Sequence, residues 1–238
     1  MQEGNILANI VSMDPTGNTD PKIVKQSIIR LTLHEVGHTL GLNHNFKASH
    51  LHDPVSVHDP LITQKSGVTA SVMEYPAVNI APLGVEQGDY YDVVTGAYEN
   101  GAIEFGYRPN LSEQERNQIL FRSDEPELIF GNDADDMRSP GRGIDPRAMT
   151  NDLTNDPITY AVQRIELVNQ TFKELPTKLE AKSWEEFENA YQTLFRESSR
   201  SLQTVSRVIG GVYVNRSTPD QNSELSPFEP VSEADQKR

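Results

Sequence analysis

The sequence predicts an α+β fold that is predominantly helical, on three observations. Stretches with helical start signals fill much of the chain, only two short runs read as strands, and two long turn-rich segments separate the regular elements. With 238 residues, the chain is long enough to bury a real core as one sizeable domain or two small ones. We divide it at residue 122, into a core over 1–122 and an acidic loop with a helical subdomain over 123–238.

Residues 4–13, GNILANIVSM, read as a strand, followed by a turn rich in Gly, Pro, Asn and Thr up to Asp20. A first long helix then begins, with Asp20 as its cap and Pro21 at the first position, where the missing N–H costs nothing. Apolar residues lie around much of it from Ile23 to Leu40, which predicts a buried helix, and Gly41 ends it. Residues 45–84 show no sustained period and read as one long irregular segment. A helix is expected from about Gln87 to Phe105, and Ser112 with Glu115 forms a capping box for another through about Arg122. Residues 123–157 form a second long loop, acidic and turn-rich. Asp156 and Pro157 open a helix to about Leu175, and Ser183 with Glu186 opens the next. There Trp184, Phe187, Tyr191, Leu194, Leu202, Val205 and Ile209 recur at threes and fours, so one face should pack on a core until Gly210 and Gly211 stop the helix. Residues 212–216 read as a short strand, and the polar tail from Thr218 as loosely held.

The balance of 35 acidic against 21 basic residues gives a formal charge of −14, which disfavours nucleic acid and anionic membrane surfaces as partners. No apolar run approaches the ~20 residues of a membrane-spanning helix, so no membrane insertion is expected. The first residues lack the basic start and apolar stretch of a signal peptide. There is no cysteine, so any metal site must use His and carboxylate.

Residues 34–44 read HEVGHTLGLNH. In a helix, positions four apart lie about 40° apart around the axis and about 6 Å along it, so His34 and His38 project from one face and can share one ion. Gly41 breaks the helix where the chain must bend back, letting His44 supply a third nitrogen from outside it. Three protein ligands leave a fourth zinc position open, as in catalytic and not structural sites. Glu35 follows the first ligand and faces that open position, where it reads as a general base toward water. An H-E-x-x-H can arise by chance on a polar helix. Here the glycine and third histidine fall at the required offsets, and a charged Glu35 with two histidines on a mostly apolar helix would be costly without a metal.

With these residues in place, the chain resembles the metzincin clan of metallopeptidases, whose pattern is H-E-x-x-H-x-x-G-x-x-H followed later by a methionine turn. Ser71-Val72-Met73-Glu74-Tyr75-Pro76 looks like that turn. The resemblance implies a zincin-like catalytic domain, Zn2+ as cofactor and a peptide or protein as substrate. It implies Met73 as a hydrophobic floor beneath the metal, and Tyr75 as a tyrosine that approaches the zinc or the oxyanion. LTLHEVGHTLGLNHNFKAS, SVMEYPAVNIAP and the acidic loop ending in IDPR and DPITYA are similar to one group in particular, the bacterial Met-zincin family of large metallopeptidases. Its members are often exported, which implies export for the full-length protein. In metzincins a twisted sheet precedes the active-site helix. Only 33 residues precede His34, so a truncated sheet and a longer precursor chain are expected.

Other candidates are weaker. His50, His52 and His58 could join Asp53 and Asp59 in a second metal site, but their spacing is irregular. Asp133, Asp135 and Asp136 could bind Ca2+ through oxygen, yet lack the EF-hand pattern, so a solvated loop is the plainer reading. A downstream glutamate such as Glu99 or Glu104 could replace His44 as third ligand, though His44 already fits. The main competitor to an endopeptidase is a catalytically silent zinc module that holds a protein partner in the cleft; a base at Glu35 has no use there.

Overall fold

A computed structural model describes residues 20–136, 143–179, 183–218, 221 and 225–238. The strand expected at 4–13 lies outside them. In chain order the elements are α1 (Pro21–Thr39), α2 (Pro60–Ser66), α3 (Ala97–Tyr107), α4 (Glu113–Phe121), α5 (Pro157–Lys178), α6 (Trp184–Ser206), β1 (Val212–Val214), β2 (Phe228–Pro230) and α7 (Glu233–Gln236). Asp-Pro pairs open three of the helices by the same chemistry. Asp20 caps Lys22 N at 2.8 Å, Asp59 caps Leu61 N at 2.8 Å, and Asp156 caps Thr159 N at 3.0 Å, each with proline at the first position. The second pair corrects the irregular reading of 45–84, which contains α2 and short 3-10 turns at Ala48–Leu51 and Ser56–His58 but no strand.

α1 departs from its expected burial. Its covered face is Ile23, Gln26, Ser27, Arg30, His34 and Gly37, largely polar, while Val24, Ile28, Val36 and Leu40 are exposed among the described residues, Ile28 by 60%. The polar face is buried because it is bonded: Gln26 donates to Asp89 Oδ1 at 2.6 Å and accepts from Tyr90 N at 2.7 Å, and Arg30 donates to the Glu74 carbonyl. One side of α1 is thus tied to the segment 74–90, and the described residues leave its apolar other side uncovered.

The helix expected from Gln87 starts only at Ala97. Upstream, Asp89, Tyr90, Tyr91 and Asp92 are buried in irregular backbone, and the Asp92 carboxylate accepts from Val68 N and Thr69 N at 2.7 and 2.9 Å. These side chains serve the neighbouring loop, not a helix. A Cβ on Gly96 would stand 1.9 Å from the Ala70 carbonyl oxygen, so only glycine lets α3 begin so close to residues 70–71.

α5 and α6 pack against each other, and with Ile23, Val78, Ile80, Tyr90 and Tyr91 they form the main core through Leu167, Val168, Leu175, Ala190 and Leu194. The stripe expected to pack from α6 is split. Ala190, Thr193, Leu194, Ser201 and Thr204 are the buried side, whereas Trp184, Tyr191, Leu202 and Ile209 are exposed, Trp184 by 86%. The buried side is mostly short residues around Leu194, and most of the bulky ones lie outside. The tail is held more firmly than its composition suggests: β2 pairs antiparallel with β1, Val231 is buried beside Ile158 and Val208, and Arg238 reaches Asp156 at 2.9 Å.

Candidate metal centre

α1 ends in two nested hydrogen bonds, Leu42 N to Gly37 O at 3.1 Å and Gly41 N to His38 O at 3.0 Å, with Gly41 at φ +83°. This closure satisfies the last carbonyls and turns the chain back on itself. Two consequences reach the site. The Leu42 carbonyl comes to His38 Nδ1 at 3.0 Å, and His44 is delivered beside the helix that bears His34 and His38.

One ring nitrogen from each of His34, His38 and His44 lies within 4.8 Å of the other two, and this is the only such group among the described residues that could hold a metal. Ring centroids are 4.7 Å apart for His34 and His38, 4.9 Å for His38 and His44, and 5.4 Å for His34 and His44. Each Nδ1 faces an oxygen: Val72 O at 2.7 Å from His34, Leu42 O at 3.0 Å from His38, and Asp133 Oδ2 at 2.9 Å from His44. Carbonyl and carboxylate oxygens accept, so each Nδ1 carries the proton and each Nε2 keeps a free lone pair. The Nε2 atoms of His34 and His44 are buried without a hydrogen-bond partner, a cost that a cation would offset. Burial lowers the pKa of His34, only partly offset by its bond to Val72, and so favours the neutral ligand form. The three residues therefore fit a zinc ion by donor type, tautomer and convergence.

Beneath them lies the segment 71–75. Met73 is fully buried, and a Cβ on Gly37 would sit 2.4 Å from its sulfur, so the glycine inside HEVGH is what admits the methionine under the helix. The turn is held by a residue considered above only as a ligand. Glu99 accepts from the Ser71 hydroxyl, from Val72 N at 3.1 Å and from Gly96 N at 2.9 Å, so it faces the turn and does not belong to the metal group. Glu104 pairs with Arg108 instead. Behind the turn, burial holds the Glu74 carboxyl well above its usual range, with Asp152 adding to the effect, while Ser49 N and Tyr75 N bond to its oxygens.

Tyr75 borders the site, with its ring 5.1 Å from that of His34 and 4.7 Å from that of His44. Glu35 is exposed on α1 and is not one of the converging groups. The other histidines are elsewhere: His52 bonds to Gly67 O at 2.9 Å, His50 lies 3.4 Å from Asp152, and His58 is buried, its pKa pushed down to about 4 by desolvation with Arg164 adding. The calcium expectation is not supported. Asp133 is engaged by His44 and Asp135 by Arg216, so the carboxylates of this loop point to separate partners. No local sequence signal marks the bond of Asp133 to His44 or that of Glu99 to Ser71, which span 89 and 28 residues.

The model of a protein family described as Met-zincin matches residues 16–238. No curated protein and no solved structure matches the chain.

Proposed function

Because the chain belongs to the Met-zincin family, a family of metzincin-type zinc metallopeptidases, we propose that it is a zinc-dependent endopeptidase with His34, His38 and His44 as ligands and Glu35 as general base. The convergence of three imidazoles, each with Nδ1 tied and Nε2 free, supports this reading most directly. Zinc in such a site supplies Lewis acidity and lowers the pKa of water toward ~7. Glu35, exposed one residue after His34, takes a proton from the attacking water and returns it to the leaving amine. Met73 closes the underside of the site, and the Tyr75 hydroxyl donates toward the carbonyl oxygen as negative charge develops there.

Protein purified without chelator is expected to carry one zinc per chain, and to cut members of a peptide library in a reaction that chelation stops and added zinc restores. Absence of zinc binding would sink the metal reading. One zinc per chain without any cleavage would favour the silent module that holds a partner in the cleft.

Tyr75→Phe removes one hydroxyl and leaves the ring against His34 and His44. Turnover should fall about tenfold to a hundredfold, as for one oxyanion donor among several, with zinc content unchanged. An unaltered kcat would make Tyr75 a packing residue.

A further inference from the structure

We infer that Asp133 is a positioning residue for the metal: it fixes the tautomer and orientation of His44, and thereby sets how tightly zinc is held. The inference rests on the reading of His34, His38 and His44 as a zinc site. His44 differs from the other two in two respects. His34 and His38 sit on a helix whose backbone fixes them, whereas His44 stands on irregular chain beyond the helix end. His34 and His38 give their Nδ1 protons to neutral carbonyls, whereas His44 gives its proton to a carboxylate, at 2.9 Å. A charged acceptor makes the stronger bond and raises the electron density left on Nε2. The ligand with the least support from its own backbone is the one whose Nδ1 faces a charged acceptor.

Asp133 is mostly solvent-exposed, so its position has to come from its loop. That loop is fastened on both sides. Toward the site, residues just after His44 bond to it in succession: Asn45 Nδ2 donates to Ile129 O at 3.0 Å, Gly131 N to Asn45 Oδ1 at 3.2 Å, and Phe46 N to Gly131 O at 2.7 Å. The same segment thus places both His44 and the backbone two residues before Asp133. Around Asp133, Ala134 N donates to Asn132 Oδ1 at 2.9 Å, Asn132 N donates to Asp135 Oδ2 at 3.1 Å, and Arg216 beyond β1 is paired with Asp135. Phe46 stacks on the His44 ring at 5.2 Å, so the imidazole is fixed in plane by Asp133 and across its plane by Phe46.

The test compares Asp133→Ala, Asp133→Asn and, as a control for net charge, Glu113→Ala on α4, with zinc affinity measured by competition against a chromogenic chelator. Asp133→Ala is expected to weaken zinc binding about tenfold to a hundredfold, the usual effect of removing such a partner. Asp133→Asn keeps an acceptor without the charge and should fall between it and the parent, while Glu113→Ala should match the parent. In metal-free protein, 15N chemical shifts should show His44 protonated at Nδ1 in the parent and a mixture of tautomers in Asp133→Ala, with His34 unchanged. Equal affinity of Asp133→Ala and parent, equal losses in Asp133→Ala and Glu113→Ala, or an unaltered His44 tautomer would each overturn the inference. If Asp133→Ala fails to fold, Asp133→Asn decides alone: parental affinity together with a parental tautomer supports a neutral-acceptor role and overturns the charged one. A parent that binds no zinc removes the metal reading itself, while the tautomer of His44 still reports on Asp133.

Discussion

Glu35→Ala is expected to retain one zinc per chain and to lose about 10²–10⁴-fold in peptide hydrolysis, the contribution general acid–base catalysis ordinarily makes. Retention follows from geometry. Glu35 lies one residue, about 100° around the helix, from His34, and it offers no atom to the group formed by His34, His38 and His44. The ligand nitrogens and their Nδ1 acceptors are untouched by the change, so metal affinity has no reason to move. The loss follows from chemistry: with alanine at 35, the proton of the attacking water and the proton needed by the leaving amine have no carrier at that position. A variant that sheds its zinc would make Glu35 part of the metal-holding set. One that hydrolyses peptides at the parental rate would require another base and would remove the central step of the proposed mechanism.

What the sequence makes legible about this site is its local part. HEVGHTLGLNH encodes a helical spacing, a glycine closure and a return of the chain, and all three are consequences of backbone geometry over eleven consecutive residues. The resemblance alone implies a role for Met73 under the site, and its contact with Gly37 is not legible in the sequence, because no periodicity relates positions 37 and 73. The supports of the site were not legible at all. Asp133 meets His44 across 89 residues and Glu99 meets Ser71 across 28, and neither contact leaves a pattern in its own neighbourhood. The misreadings of α1 and α6 have one physical cause. Apolar spacing identifies a helix but does not say which side is covered: α1 buries bonded polar groups and α6 buries small ones, while Ile28 and Trp184 remain outside. The short α2 was within reach, since Asp59-Pro60 repeats the signal read correctly at Asp20-Pro21 and Asp156-Pro157.

Glu99→Ala is expected to destabilise the metal-free protein by about 3–5 kcal/mol, whereas Glu99→Gln should cost only about 1 kcal/mol. Glu99 is buried, and its two oxygens accept from the Ser71 hydroxyl, Val72 N and Gly96 N. Alanine leaves these three donors facing a space with no acceptor, and each unmade buried bond costs ~1–3 kcal/mol, partly recovered if water enters. Glutamine can place its amide oxygen where Oε2 now accepts both backbone N–H groups. Its NH2 then faces Ser71 Oγ, which can turn from donating to accepting while still receiving Met73 N at 3.0 Å. Burial raises the Glu99 pKa against the pull of those donors, so a neutral substitute is less foreign to the site than a surface carboxylate would suggest. The effect should reach the metal, because the carbonyl that receives His34 Nδ1 belongs to Val72, whose own N–H Glu99 holds. Urea unfolding of metal-free protein and zinc competition at low denaturant read the two effects separately. Alanine should lower both stability and zinc affinity, and glutamine should leave affinity near the parent. Equal and small costs for the two variants would mean that the turn beneath the histidines stands without Glu99, on its other hydrogen bonds such as Asn45 N to Met73 O and Arg30 to the Glu74 carbonyl.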